Sequence, residues 1–177
     1  MYRSLSVVVV LAFTAGVGEA QESALAPGPR LLAPFKQDLQ KALIDGLAQG
    51  PEEAIAACRV RAPEIADALS RDGVRVGRAS HRLRNPSNAA PDWVAPILDA
   101  YVNDPSDRAP RTVSLGNNRS GYVEPIVLQP LCLTCHGDSL APEVAARIRQ
   151  LYPADRAVGY QVGDLRGVFW TEFSPLE

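Results

Sequence analysis

The chain has 177 residues, with 18 Lys and Arg against 20 Asp and Glu and a formal net charge of −2. This length fits one domain with a sizeable core. A nucleic-acid-binding domain would be basic, with clustered Lys and Arg, so the near-neutral charge excludes a nucleic-acid partner.

Residues 1–20 have the pattern of a signal peptide. Arg3 precedes an apolar run over 7–17, and Gly18-Glu19-Ala20 forms a small-x-small cleavage site. We expect a mature chain that starts at Gln21, with a flexible N-terminus over 21–30 and one domain over 31–177. The apolar run is too short to span a bilayer comfortably. The sequence therefore predicts a periplasmic protein with no membrane span in the mature chain.

Helices are predicted in the first half of the domain. Apolar residues in steps of three and four over 31–47 indicate an amphipathic helix, which Gly50-Pro51 ends. A second helix begins at Pro51 and turns Cys58 toward the core. Pro63 should kink or restart this helix. A helix is also expected over 91–102.

Strands dominate the second half. Alternating or β-rich runs predict strands at the positions 74–79, 111–115, 122–128, 157–162 and 165–173. The turn-rich segment 116–121 reads as a hairpin loop, and 142–151 as a short helix. Helices followed by a mostly antiparallel sheet indicate an α+β single domain.

The most specific motif is Cys132-Leu133-Thr134-Cys135-His136. Two cysteines three positions apart and an adjacent histidine form the attachment site of one covalent c-type haem, in which both thiols become thioethers and the imidazole binds the iron. A thioredoxin-like pair would be expected near a βαβ pattern. Zinc sites usually have gaps within each ligand pair, so zinc or a disulfide fits less well.

The second axial ligand is left open by the residues alone. The only methionine is Met1, which leaves with the signal peptide, so His/Met ligation is excluded in the mature chain. The remaining possibilities are water, no ligand, a tyrosine, Cys58, His81, or a lysine such as Lys36 or Lys41. Cys58 is the odd cysteine of the chain, and it reads equally as a ligand or as a small buried side chain.

Further short motifs run through the mature chain in a fixed order. They are AIAAC at 54–58, AP at 62–63, GR at 77–78, RNPSN at 84–88, CLTCHG at 132–137, YPAD at 152–155, GY at 159–160, GD at 163–164 and RG at 166–167. Together they resemble a bacterial family of c-type haem proteins with a PAS-like fold, over about 32–173.

The resemblance implies a PAS-like antiparallel sheet flanked by helices, with haem in its pocket. It also implies axial ligation by His136 and Cys58. A thiolate ligand stabilises ferric over ferrous iron, which predicts a low potential.

Arginine pairs carboxylates bidentately, which makes a set of polar residues candidates for holding the haem propionates. These are Arg78, Arg84, Asn85 and Arg166.

The expected function is single-electron transfer or redox sensing with an unidentified redox partner protein. A diatomic-gas sensor is the alternative, and a peroxidase using His81 is the third possibility. The sequence favours a carrier or sensor over an enzyme, and leaves open whether the chain forms a homodimer.

Overall fold

Two long helices begin the part of the chain that the computed structural model describes, residues 27–174. Helix α1 spans Pro27–Leu47 and α2 spans Pro51–Leu69. The predicted signal peptide lies outside the described residues. Helix α1 begins four residues before the predicted start, so residues 27–30 are helical where a flexible segment was expected. The reason is packing, because Gly28 is buried against the ring of Tyr122.

Helix α2 is continuous through Pro63 and does not restart there. Ala62 and Ile65, on either side of the proline, are both buried. Packing on both sides therefore outweighs the hydrogen bond that Pro63 cannot donate.

Four strands form one antiparallel sheet. Strand β1 is Val74–Ala79, β2 Arg111–Gly116, β3 Arg119–Val127 and β4 Leu165–Phe173, in the order β1-β4-β3-β2. The predicted bounds of β1 and β4 are confirmed. The loop between β2 and β3 is shorter than predicted, because Asn117 and Asn118 adopt φ of 49° and 57° and close a two-residue turn. Such turns match the twist of the paired strands.

Three shorter α-helices follow in the described part of the chain. They are α3 Ala95–Asn103, α4 Leu133–His136 and α5 Pro142–Leu151. The prediction for α5 is confirmed, whereas α3 begins four residues later than expected. The predicted strand over 157–162 is wrong, since Tyr160 makes a single parallel bridge with Gly137. No helix within 27–174 is long and apolar enough to cross a membrane.

Helices cover both faces of the sheet. On one face α1 and α2 bury Leu32, Phe35 and Ile65 against sheet residues such as Val76. On the other, α3 packs Leu98 and its neighbours against the alternate strand residues. The α+β single-domain prediction is confirmed, and a sheet between helices is consistent with a PAS-like fold.

Candidate functional site

A cavity of about 400 Å³ lies between the α1–α2 side of the sheet and the CxxCH segment. Its walls include apolar side chains from two helices and two strands, namely Leu39, Leu43, Ile55, Ile126 and Phe169. The structure brings all eight predicted site residues to this one cavity. They are Cys58, Arg78, Arg84, Asn85, Cys132, Cys135, His136 and Arg166.

The CxxCH residues share one face of a helical segment. A 3₁₀ turn over Pro130–Cys132 leads directly into α4. Residues three and four positions apart on a helix lie side by side, so Cys132, Cys135 and His136 are directed to the same side. Glycine is required at position 137, directly after the helix, because a Cβ there would lie 2.7 Å from the carbonyl oxygen of Leu133. The segment thus presents two thiols and an imidazole to the cavity together.

The imidazole of His136 is held by a backbone carbonyl. Its Nδ1 lies 2.7 Å from the carbonyl oxygen of Ala157. A carbonyl can only accept, so Nδ1 carries the proton and Nε2 keeps its lone pair. Burial, with a smaller effect of the Arg84 cation, lowers the pKa of His136 to about 3. The ring is therefore neutral, which is the form that binds a metal.

Residues 157–160 run alongside the end of α4. The Gly159 amide donates to the Gly137 carbonyl at 2.8 Å, and the Tyr160 amide donates to the His136 carbonyl at 3.0 Å. These bonds fix the chain that carries the Ala157 carbonyl. They also explain why this segment is not a regular strand, since its hydrogen bonds go to α4 instead of to the sheet.

Cys58 reaches the same cavity from α2. It lies one turn after Ala54, which also lines the cavity. Burial raises the pKa of the Cys58 thiol, and the nearby guanidinium groups of Arg78 and Arg84 partly offset that rise. A thiol and an imidazole from separate parts of the chain therefore face one space.

The polar residues at the cavity differ in their partners. The Nη1 of Arg166 lies 2.5 Å from the Ser80 hydroxyl and 3.1 Å from the Arg82 carbonyl, both uncharged groups. Burial lowers the pKa of Arg166 to about 10, and it also lowers the pKa of Arg78. Within residues 27–174, neither Arg78 nor Arg166 forms an ion pair.

Arg84 and Asn85 have protein partners. Arg84 forms a bidentate ion pair with Asp155, at 3.1 Å for both contacts. The Asn85 side chain accepts from the Ser87 amide at 3.0 Å and caps the 3₁₀ turn over Pro86–Asn88. The side-chain oxygen of Asn85 is therefore used to cap this turn.

The other candidates for the second axial ligand differ in whether they line the cavity. Lys36 lines the cavity but forms an ion pair with Glu124. Lys41 pairs with Asp45 at 2.6 Å, and neither Lys41 nor His81 is among the residues that line this cavity. Tyr152 is the tyrosine that lines it.

Two groups at the site were missed by sequence reasoning. Asp155 belongs to a motif that carried the resemblance but was assigned no role, and the Ala157 carbonyl is a backbone group without a side-chain signal. The YPAD motif at 152–155 was the only pointer to the first, and nothing in the sequence pointed to the second.

The fold and the cavity together define a class: a single-domain α+β protein, consistent with a PAS-like fold, with a CxxCH segment on the wall of its pocket. The chain belongs to the Tll0287-like family, whose model matches residues 13–174. It is also similar to the crystal structure of the cyanobacterial heme-protein Tll0287. That likeness has a TM-score of 0.56 and 24% sequence identity, and it covers 81% of this chain and 92% of the other. No curated protein matches the chain.

Proposed function

We propose that this protein binds one haem covalently and uses it for single-electron transfer or redox sensing. Cys132 and Cys135 would form the thioethers, His136 the first axial ligand and Cys58 the second. The observation that carries the proposal is that these four side chains face one cavity, although Cys58 lies 74 residues before Cys132 in the chain.

The cavity fits such a group in several respects. Its volume of about 400 Å³ lies within the range of roughly 300–1,000 Å³ typical of ligand pockets. Most of its lining surface is apolar, as a flat macrocycle requires. The fixed tautomer of His136 leaves Nε2 for a metal. The crystal structure to which the chain is similar is that of a heme-protein.

The charges at the cavity fit the two propionates of a haem. Arg78 and Arg166 line the cavity as cations without a carboxylate partner among residues 27–174. Two carboxylates would supply the missing counter-charges, and guanidinium groups bind carboxylates in bidentate geometry. Arg84 already has Asp155 as its carboxylate partner. We therefore assign the propionates to Arg78 and Arg166.

The ligand set determines what the bound group would do. Haem supplies reversible one-electron chemistry at iron. A thiolate at Cys58 adds negative charge beside the metal and favours the ferric state, which gives a potential below that of His/Met cytochromes. Ligation on both sides leaves no open position for peroxide. The peroxidase alternative also needs a polar catalytic group, and His81 does not line the cavity.

We also propose export to the periplasm, supported by the signal-peptide pattern over 1–20. An electron carrier or redox sensor needs a partner protein there.

The attachment is tested by co-expression with a cytochrome c maturation system. The wild type should keep a haem-stained band on a denaturing gel and show one haem per chain in the pyridine spectrum. Cys132→Ala with Cys135→Ala should abolish the stained band. Cys58→Ala is the matched control, because it removes a thiol from the same cavity and should leave the attachment intact. A wild type without covalent haem would refute the proposal, and fast CO binding to the reduced wild type would favour the gas sensor.

A further inference from the structure

The buried Arg84–Asp155 ion pair sets one arginine of the cavity apart from the others. Nε and Nη2 of Arg84 lie 3.1 Å from Oδ1 and Oδ2 of Asp155. The two side chains are only 10% and 8% exposed. Two parallel charge-assisted bonds in a buried site fix the guanidinium plane. Asp155 therefore compensates the positive charge of Arg84 and holds its side chain in place.

This pair holds two peptide groups at the CxxCH segment. Arg84 Nη2 donates to the Cys135 carbonyl at 2.6 Å and to the Ala157 carbonyl at 3.2 Å. Asp155 Oδ1 accepts from the Ala157 amide at 2.9 Å. The Ala157 carbonyl is also the acceptor for His136 Nδ1. The ion pair thus holds Ala157, whose carbonyl orients the imidazole of His136. It also holds the carbonyl of Cys135, the residue just before His136.

We propose that Arg84 and Asp155 are positioning residues that set the electronic character of His136 through the Ala157 carbonyl. This inference rests on the proposed function, in which His136 binds the iron. Outer partners of a ligating histidine fix its orientation and its basicity. Arg84 shares the Ala157 carbonyl with His136 and so limits the negative charge that the carbonyl offers to the imidazole N–H. Asp155 compensates the charge of Arg84.

The two members of the pair have effects of opposite sign. Arg84→Gln leaves the Asp155 carboxylate uncompensated and frees the Ala157 carbonyl for a stronger bond to His136, and both changes lower the reduction potential. Asp155→Asn keeps an oxygen for the Ala157 amide but leaves the guanidinium uncompensated, which raises the potential. The double variant should return toward the wild type. If the ion pair only held the local structure together, both single variants would shift the reduction potential in the same direction.

Arg82 offers a matched control on the same stretch of chain. Its Nε donates to the Arg156 carbonyl at 3.0 Å and its Nη2 to the Val158 carbonyl, on either side of Ala157. Arg82→Gln therefore also loosens residues 156–158 and removes an arginine, but it leaves the bonds of Arg84 in place. We expect its potential to move less than that of Arg84→Gln.

The experiment is a redox titration of the haem-bearing wild type and the variants Arg84→Gln, Asp155→Asn, the double variant and Arg82→Gln. Shifts of opposite sign in the first two, with partial cancellation in the double variant, support the proposal. Shifts of one sign, or shifts no larger than that of Arg82→Gln, overturn it. If Arg84→Gln yields too little protein, Asp155→Asn decides alone, because an unchanged or lowered potential there overturns the proposal. The proposed function fails separately, if the wild type itself carries no covalent haem.

Discussion

Gly77 in β1 pairs directly with Trp170 in β4, and the indole ring covers the glycine backbone. A Cβ at position 77 would lie 2.5 Å from Cζ2 of Trp170. Glycine is therefore required here by close approach. Arg78, the next residue of β1, lines the cavity.

The first prediction follows from this contact. Gly77→Ala should lower the free energy of unfolding by about 1–3 kcal/mol, the usual cost of overpacking. The cost should shrink when Trp170 is also changed to Leu, because the contact is then relieved. Urea unfolding of the two single variants and the double variant measures this coupling. Additive effects would contradict the packing account.

Much of the fold could be predicted because the local signals agree with the packing. The bounds of β1, α5 and β4 follow from alternation, capping proline and apolar spacing. Helix α4 was missed because four residues are too few to show a helical period. Residues 157–162 alternate like a strand, but their backbone groups bond to partners outside the sheet. The Ala157 carbonyl accepts from the Arg84 side chain, and the Gly159 and Tyr160 amides donate to carbonyls at the end of α4.

The candidate site was predictable at its side chains and not at its backbone. CxxCH has a fixed chemical meaning, and Cys58 stood out as an odd cysteine on the inner side of a helix. Arg84 differs from Arg78 and Arg166 because it pairs with Asp155, which lies 71 residues after it in the chain. The acceptor for His136 is a main-chain oxygen of Ala157. Neither relationship has a local sequence pattern.

The second prediction concerns the uncompensated cation at Arg78. Arg78→Gln removes a positive charge from the cavity wall and should lower the reduction potential by about 60 mV, a tenfold change for one electron. Arg75→Gln is the control, because Arg75 lies on the same strand with its side chain 65% exposed and paired with Glu172. Solvent and salt screen such an exposed charge. Equal potentials in Arg78→Gln and the wild type would remove Arg78 from the propionate assignment.

The third prediction is a pH dependence at His81. Burial, with the cations Arg166 and Arg82, lowers the pKa of His81 from its ordinary value of 6.5, and Asp99 opposes this weakly. The unfolded chain therefore binds a proton at higher pH than the folded chain. Stability from the neutral ring is present above about pH 6.5 and is lost as the pH falls toward the folded pKa.

Urea unfolding at about pH 7.5 and about pH 5 tests this dependence, a range in which histidine is the side chain that normally titrates. His81→Asn should lose less stability between the two pH values than the wild type, because its contribution no longer titrates. All other groups are common to both proteins and cancel in the comparison. An equal loss of stability in both proteins would show that His81 titrates alike in the folded and unfolded chains.

The fourth prediction concerns Lys36 as a rival ligand. The Nζ of Lys36 is engaged in an ion pair with the Glu124 carboxylate, so we do not expect it to bind the iron. Lys36→Gln should leave the absorption spectrum of the ferric protein unchanged. A changed Soret band in this variant would place Lys36 on the iron.

Low-temperature electron paramagnetic resonance of the ferric protein, wild type beside Cys58→Ala, tests the proposed axial ligation by His136 and Cys58. The wild type should give a low-spin signal with the narrow g-spread of thiolate ligation, and the variant should lose that signal. A spectrum unchanged by Cys58→Ala would show that Cys58 does not bind the iron.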